Sequence, residues 1–459
     1  MVMATRPALP RDAAAKPAGL PLGARWRLGV ACLAALATSL PMAWVSLAKT
    51  LVLLTALIGL GARALRGTPT AAGSPSNWQR GLGELWTPRV LTVALLALAA
   101  SSLYSDAPVE VMALAWVKHA KLLLILVMIF LLQRILEMRW ALWFFCGGQI
   151  FFVLLAWAMV AGWTPPWASA HAGGLAASHH AVYSTYLDQS IILASAAAVL
   201  WHLRAQLGWA RPLAMGAALL ALADVLWVLQ GRSGYAVALV LLALALAWAL
   251  PPRWRWPAAL ALPVVMLTML LTTSTTLGGR VLQVWTEARG YLSTQGTASH
   301  AAGTQAPAPV SVQSPALTSS GFRLHAWRRS LQAMQQAPWL GHGLGAWTLA
   351  VKHIEGPGAD AVFGPGASSN PHQEFLLWGV TLGWPGVALL LGLGVALVRD
   401  ARRFEPATAR ALISVTVAAG VAGLFNSALY DALVGDFFCV TLGLLLALGL
   451  RQRETQDQP

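Results

Sequence analysis

"SSNPHQEFLLWGVTLGWPGVALLL", residues 368–391, sets a polar knot directly against a long apolar run. A run of this kind is membrane-helix material, since roughly 20 apolar residues cross a ~30 Å hydrocarbon core. One histidine, His372, stands at its lip. Asn370 reads as an N-cap, Pro371 suits the first helical position, and Gln373 completes a capping-box-like N-x-x-Q. This places His372 in the first turn of the helix, facing water. There the helix N-terminus disfavours imidazolium, so the ring stays neutral and able to accept a proton near pH 7. Glu374, just beyond, is an anion favoured at the same terminus. From these residues alone, a histidine that only rests at the interface is an equally good reading.

The rest of the chain supports a membrane setting. Of 459 residues, 57% are hydrophobic and 10% charged, against about 25% charged in a soluble domain. The formal charge of +14 raises nucleic acid as a partner. That reading needs a basic face on a soluble domain, whereas these arginines fall in short clusters between apolar runs, as topology signals do. Nucleic acid is therefore set aside. Cys32, Cys146 and Cys439 lie inside apolar runs with no C-x-x-C pair, which predicts packed thiols and no disulfide framework. Residues 1–24 read as a disordered polar tail, and the first apolar run as an uncleaved anchor.

Twelve runs qualify as candidate spans: 28–46, 50–64, 89–104, 111–132, 140–162, 182–202, 212–230, 235–250, 257–273, 374–398, 409–427 and 433–450. The expected architecture is an all-α integral membrane protein. Spans one to nine occupy 25–273, a long partly helical external loop 274–372, spans ten to twelve 373–451, and a short tail 452–459. With both termini cytoplasmic, roughly two-thirds of the lysines and arginines fall on the cytoplasmic side. Most external cations lie in the 274–372 loop. Its low-complexity middle, 293–321, is expected to be flexible. It is followed by "FRLHAWRRSLQAMQQ", where Leu324, Trp327, Leu331 and Met334 recur on one helical face. The segment reads as a cap on the outer face of the bundle. Ionisable residues within spans are functional suspects. Lys118, His119, Lys121, Asp188 and Asp224 all fall in the outer half, so the chain is expected to act on something from outside.

Arg232 lies in "QGRSGY", a glycine-flanked turn between spans seven and eight. Glycines there let backbone N–H groups approach an anion, and arginine matches phosphate bidentately; an interfacial arginine on lipid headgroups fits equally well. Arg323, in "SSGFRLHAW", begins an external helix that can aim it at the same place, or it is a solvated surface charge. Lys118, His119 and Lys121 add positive charge, and pairing of the lysines with Asp188 or Asp224 is the slightly favoured alternative to ligand contact. Arg328 and Asn370 complete the candidate contacts to pyrophosphate or sugar, although a solvated or lipid-facing Arg328 is the favoured reading. There is no G-x-x-x-x-G-K-[ST], no H-E-x-x-H and no D-x-D, which argues against an ATP-driven pump and a chelated nucleotide sugar. His179 and His180 lack acidic neighbours, so a metal site there is weakly supported. No metal or cofactor is expected.

Four stretches, "GRSGY" (231–235), "GFRLHAW" (321–327), "PWLGHGLGAW" (338–347) and "SNPHQEFLLWGVTLGWPG" (369–386), give the chain a resemblance to the O-antigen ligase family, within a superfamily of polytopic bacterial glycosyltransferases. Each motif is short, but together they occupy matching topological slots over most of the chain after residue 110. The resemblance implies inverting, metal-independent glycosyl transfer at the periplasmic face of the bacterial inner membrane. The donor would be O-antigen polysaccharide on undecaprenyl pyrophosphate and the acceptor a sugar hydroxyl of lipid A–core. The family's essential arginines carry over to Arg232 and Arg323 and its essential histidine to His372; an insertion around 296–318 loosens the match beside Arg323. O-antigen polymerases and protein O-oligosaccharyltransferases are the nearest alternatives. A lipid-linked glycan transporter is a rival of another class and predicts internal repeats, of which none is visible.

Overall fold

The computed structural model describes residues 21–66, 83–166, 180–183, 185–229, 231–273, 285–286, 289–290, 319–356 and 370–456. The expected tail lies outside these residues except for 21–24, and so does most of the external loop, including the low-complexity stretch and the insertion around 296–318. Among the described residues every regular element is a helix. The first half contains α1 (Leu22–Ala37), α2 (Met42–Arg66), α3 (Trp86–Ser101), α4 (Val109–Ala120), α5 (Leu123–Leu131), α6 (Ile135–Val160), α7 (Tyr186–Leu203) and α8 (Arg211–Ala223). The second half contains α9 (Arg232–Ala249), α10 (Pro252–Thr273), α11 (Ser319–Gln336), α12 (Trp347–Glu355), α13 (Glu374–Leu382), α14 (Trp384–Ala401), α15 (Pro406–Phe425) and α16 (Ala432–Gln456).

Seven described helical stretches are long and apolar enough to cross a bilayer, or eight if the α4–α5 pair, bent by 41°, is one crossing. This is an all-α membrane protein. The seven treat Tyr186–Val228 as one stretch of 43 residues, about 65 Å at 1.5 Å per residue and twice a hydrocarbon core. Gly208 (φ 56, ψ −119) breaks it, and α7 and α8 pack along each other as a hairpin. Other expected spans fall short for identifiable reasons. The α1 and α3 helices have 16 residues each, and Gly383 (φ 70) separates α13 from α14. The expected first span, 28–46, is corrected outright: a turn at 38–41 divides it between α1 and α2.

Helix α16 is apolar all round and its spanning stretch is wholly buried, so it forms the axis of the bundle. It packs on α5, α15 and α6, while α7 is flanked by α8, α9 and α15. The three cysteines are buried free thiols.

The broken α13–α14 helix positions the end of the bundle that carries Arg232, Arg323 and His372. Ending α13 at Gly383 leaves backbone carbonyls that a continuous helix would use, and inside a bilayer these need protein partners. The loop between α11 and α12 supplies them. His342 N–H donates to Val380 O at 2.7 Å and Gly343 N–H to Thr381 O at 3.1 Å, while Trp384 N–H reaches Pro338 O at 2.8 Å. Gly341, at φ 70, lies against the Thr381–Leu382 backbone, where a Cβ would collide.

Candidate active site

The site lies where α9, α11 and the loop before α13 meet. Arg232 is the first residue of α9, with Gly231 as N-cap. Its flanking glycines serve packing. A Cβ on Gly231 or Gly234 would collide with the Ser190 side chain of α7, and Gly231 has an ordinary φ of −78°. The expectation that these glycines clear a path for an anion is therefore corrected: they let α7 and α9 touch.

Arg232 Nη1–H donates to Ser320 Oγ on α11 at 3.0 Å. One turn on, Arg323 joins it in lining a cavity of about 290 Å³, whose walls include Ser233, Ser320, Leu324, Trp327 and Phe425. Burial and the adjacent Arg232 hold the Arg323 guanidinium below its ordinary value, partly offset by Tyr186 and Asp431. Two arginines held together at a partly buried surface give the cavity a positive potential of the kind that attracts anions.

Helix α11 itself is rotated from the expected register. Leu331 is 47% exposed, while Ala326, Ser330 and Ala333 are fully buried with Met334 close behind. Small residues let α11 approach α13, where a Cβ on Gly379 would strike Met334. Glu355 of α12 fastens the outward turn of α11. It accepts from Arg329, and its Oε1 lies 2.6 Å from His325 Nε2.

His372 sits just before α13, outside the helix. The N-cap is Gln373, whose side chain accepts from Leu376 N–H at 2.5 Å, and α13 starts at Glu374. Asn370 is not the N-cap. Its Oδ1 accepts from His372 N–H at 2.8 Å and from Ser427 Oγ at 2.9 Å, a short Asx-type turn that competes with capping. His372 consequently adopts φ 50, a conformation uncommon for a side-chain-bearing residue and one held only where surroundings fix it. Trp327 Nε1–H donates to Pro371 O at 3.1 Å, and the Phe322 ring meets the imidazole edge to face with centroids 6.3 Å apart. Both aromatic residues come from α11, so the helix bearing Arg323 also seats His372. Burial, then Arg323 and Lys118, lower the His372 pKa to about 4. The expected neutral ring is present, but burial and neighbouring cations, not the helix terminus, account for it.

The lysine and histidine candidates separate. Lys118 reaches the site: its Nζ lies 4.3 Å from the centre of the Tyr430 ring, and its charge is felt at His372. Lys121 is 2% exposed and donates to the backbone carbonyls of Tyr430, Asp431 and Ala432. It locks the turn between α15 and α16. His119 is buried between Trp378 and Tyr430, and neither His119 nor Lys121 lines the cavity. Arg328 is exposed and also outside the cavity lining.

Carboxylates complete the surroundings, among them Asp431, which is unmarked in the sequence. Glu374 Oε1 accepts from Trp378 Nε1–H at 3.0 Å and Oε2 from Leu429 N–H at 2.9 Å, tying α13 to the α15–α16 turn. Asp431, on that turn, is pushed up to about 6 by burial and by Asp188, against the pull of Lys121, Lys118 and Arg323. The carboxylates facing the lysines are thus Asp431 and, for Lys121, Asp436, in place of the expected Asp188 and Asp224. Asp188 lies in the first turn of α7, where Thr185 caps its N–H at 3.1 Å. Asp224 is fully buried in a π-helical turn after α8. Among the described residues, no three histidine, cysteine or carboxylate side chains form a metal-ligand group.

Residues 216–391 match the family model described as O-Antigen ligase. This part of the chain is similar to the O-antigen ligase family. No curated protein matches the chain. The O-antigen ligase segment starts in α8, contains Arg232, Arg323 and His372, and ends within α14. Lys118 and Asp431 approach it from helices and turns outside the matched region.

Proposed function

We propose that the chain is an O-antigen ligase, transferring O-antigen polysaccharide from undecaprenyl pyrophosphate to a sugar hydroxyl of lipid A–core at the periplasmic face of the inner membrane. The observation that carries this reading is the pairing of Arg232 and Arg323 in one cavity, on the same helix end that seats a neutral His372.

The two guanidiniums grip the pyrophosphate and stabilise the charge that develops on it as leaving group. The acceptor hydroxyl attacks the anomeric carbon from the face opposite the phosphate. A carbon–oxygen bond to the acceptor forms, the bond to pyrophosphate breaks with its electron pair leaving on phosphate, and the hydroxyl proton passes to His372. The anomeric centre inverts. Every charge in this scheme is handled by protein side chains, so the reaction is metal-independent. The excess of lysine and arginine on the segments assigned to the cytoplasmic side supports a periplasmic site.

Reconstitution with undecaprenyl-pyrophosphate-linked glycan and lipid A–core, without added metal or ATP, tests the assignment. Glycan on lipid A–core is the expected product. A longer glycan on undecaprenyl pyrophosphate would make the chain a polymerase instead, and glycan on protein an oligosaccharyltransferase.

A further inference from the structure

The opposite end of the bundle carries a second, unassigned basic cluster. Helix α9 starts at the cavity with Arg232, and α15 finishes there with Phe425; α7 starts near it, with Tyr186 close to Arg323. Leu203, Ala249 and Pro406 therefore mark the far end, about 27 Å away for an 18-residue helix. Three arginines gather at that end. Arg204 follows α7, Arg211 opens α8 and Arg410 lies near the start of α15. Arg204 is close enough to Arg211 and Arg410 for their charges to repel.

Among the described residues, none of the three pairs with a carboxylate. Instead Arg204 and Arg410 lie against aromatic rings. The Arg204 guanidinium lies 4.5 Å from the Trp201 ring centre and donates to the Trp201 carbonyl, and Arg410 lies 5.9 Å from the Trp248 ring centre. His202 packs edge-on against the same Trp248 at 5.0 Å, feels the charges of Arg410 and Arg204, and is 8% exposed. Its Nε2 is buried without a hydrogen-bond partner. Beside the cluster, Trp209 is 83% exposed and stacks on Trp143 at 5.8 Å, as tryptophans do at the headgroup level of a bilayer.

We propose that Arg204, Arg211 and Arg410 hold the phosphodiester headgroup of a single anionic phospholipid, framed by Trp201, Trp209 and Trp248. Like charges gathered without a carboxylate are relieved by one anion, and guanidinium forks match phosphate oxygens. Basic pockets between helices at a membrane surface take headgroups in this way. His202 Nε2, without a hydrogen-bond partner among the described residues, adds a polar atom beside the cluster. Rings holding guanidiniums in place distinguish the site from the diffuse attraction of any basic loop.

Native mass spectrometry of the full-length protein in detergent tests this with phosphatidylglycerol, cardiolipin, phosphatidylethanolamine and inorganic phosphate as probes. One phosphatidylglycerol or cardiolipin should be retained, with phosphatidylethanolamine about tenfold weaker or worse and inorganic phosphate failing to displace the lipid. Arg204→Gln/Arg410→Gln should lose about tenfold in lipid affinity, whereas Arg402→Gln/Arg403→Gln, an equal loss of charge on the α14–α15 turn, should not. Equal binding of phosphatidylethanolamine overturns the proposal, and so does displacement by phosphate, which would mark a free-anion site. Equal weakening by both variant pairs reduces the cluster to bulk charge, and an undiminished Arg204→Gln/Arg410→Gln protein removes these residues from the site. The lipid comparison uses the unaltered protein, so a variant that fails to fold leaves the test intact.

Discussion

His372 is a neutral base held ready by its neighbours. Its pKa of about 4 comes from burial, then from Arg323 and Lys118, so the ring carries no proton at neutral pH and gains one only in acid. The acidic limb of kcat/KM for transfer should therefore fall near pH 4, well below the 6.5 of an ordinary histidine, because kcat/KM reports the free enzyme. A pH–rate profile with its acidic limb above 6 would place the working base elsewhere. The paired arginines are less exchangeable than their charge suggests. Arg232 donates to Ser320 while facing the cavity with Arg323, and a lysine keeps the charge but loses the planar fork. Arg232→Lys should lower transfer by at least tenfold, measured as product per purified enzyme; near-wild-type turnover would show that a point charge suffices.

At the scale of elements, the glycines divide by job. Gly234 faces Ser190 across the α7–α9 contact, so Gly234→Ala should lower thermal stability, and Ser190→Gly should restore part of the loss. Failure of that rescue would mean the close contact is not what limits the site. Much of this element logic was legible in the residues. "PWLGHGLGAW" stood out as a motif, yet its task, donating N–H groups to carbonyls freed by the α13 break, depends on a partner about 40 residues away that spacing along the chain does not reveal. Periodicity predicted the helix over 322–336 but turned its face, because Leu331 reads as core while Ala326 and Ser330 make the close approach; it starts at Ser319, inside the stretch expected to be flexible. Asn370 looked like an N-cap by type and spacing; its bond to Ser427 draws it away. Asp431 gave no signal, since its importance arises only when the α15–α16 turn folds beside Lys118 and Arg323. Glu355 tests how the cap is fastened. Burial raises its carboxyl, but hydrogen bonds from His325 and Arg329 bring it below its ordinary 4.5. The clamp thus contributes in full above that pH and is lost as pH falls through the lowered value. Glu355→Gln should cost roughly 1–3 kcal/mol by thermal or denaturant unfolding at pH 7 and much less in acid.

For the whole molecule, sequence composition fixed the class while the count of crossings remained partly hidden. Short α1 and α3, the hairpin at Gly208 and the break at Gly383 all depart from uniform 20-residue spans. The result has two chemically distinct ends. One carries the cavity lined by Arg232 and Arg323, with His372 and Lys118 close to Arg323 but outside its lining, and the other carries the Arg204, Arg211 and Arg410 cluster. The proposed reaction needs only the first. Its most direct test is transfer by purified His372→Ala protein, shown to be folded and to retain donor binding, in the reconstituted lipid A–core assay. Loss of a general base predicts a turnover drop on the order of 10²–10⁴-fold. Turnover within about twofold of the unaltered protein, against that expected drop, would contradict the account.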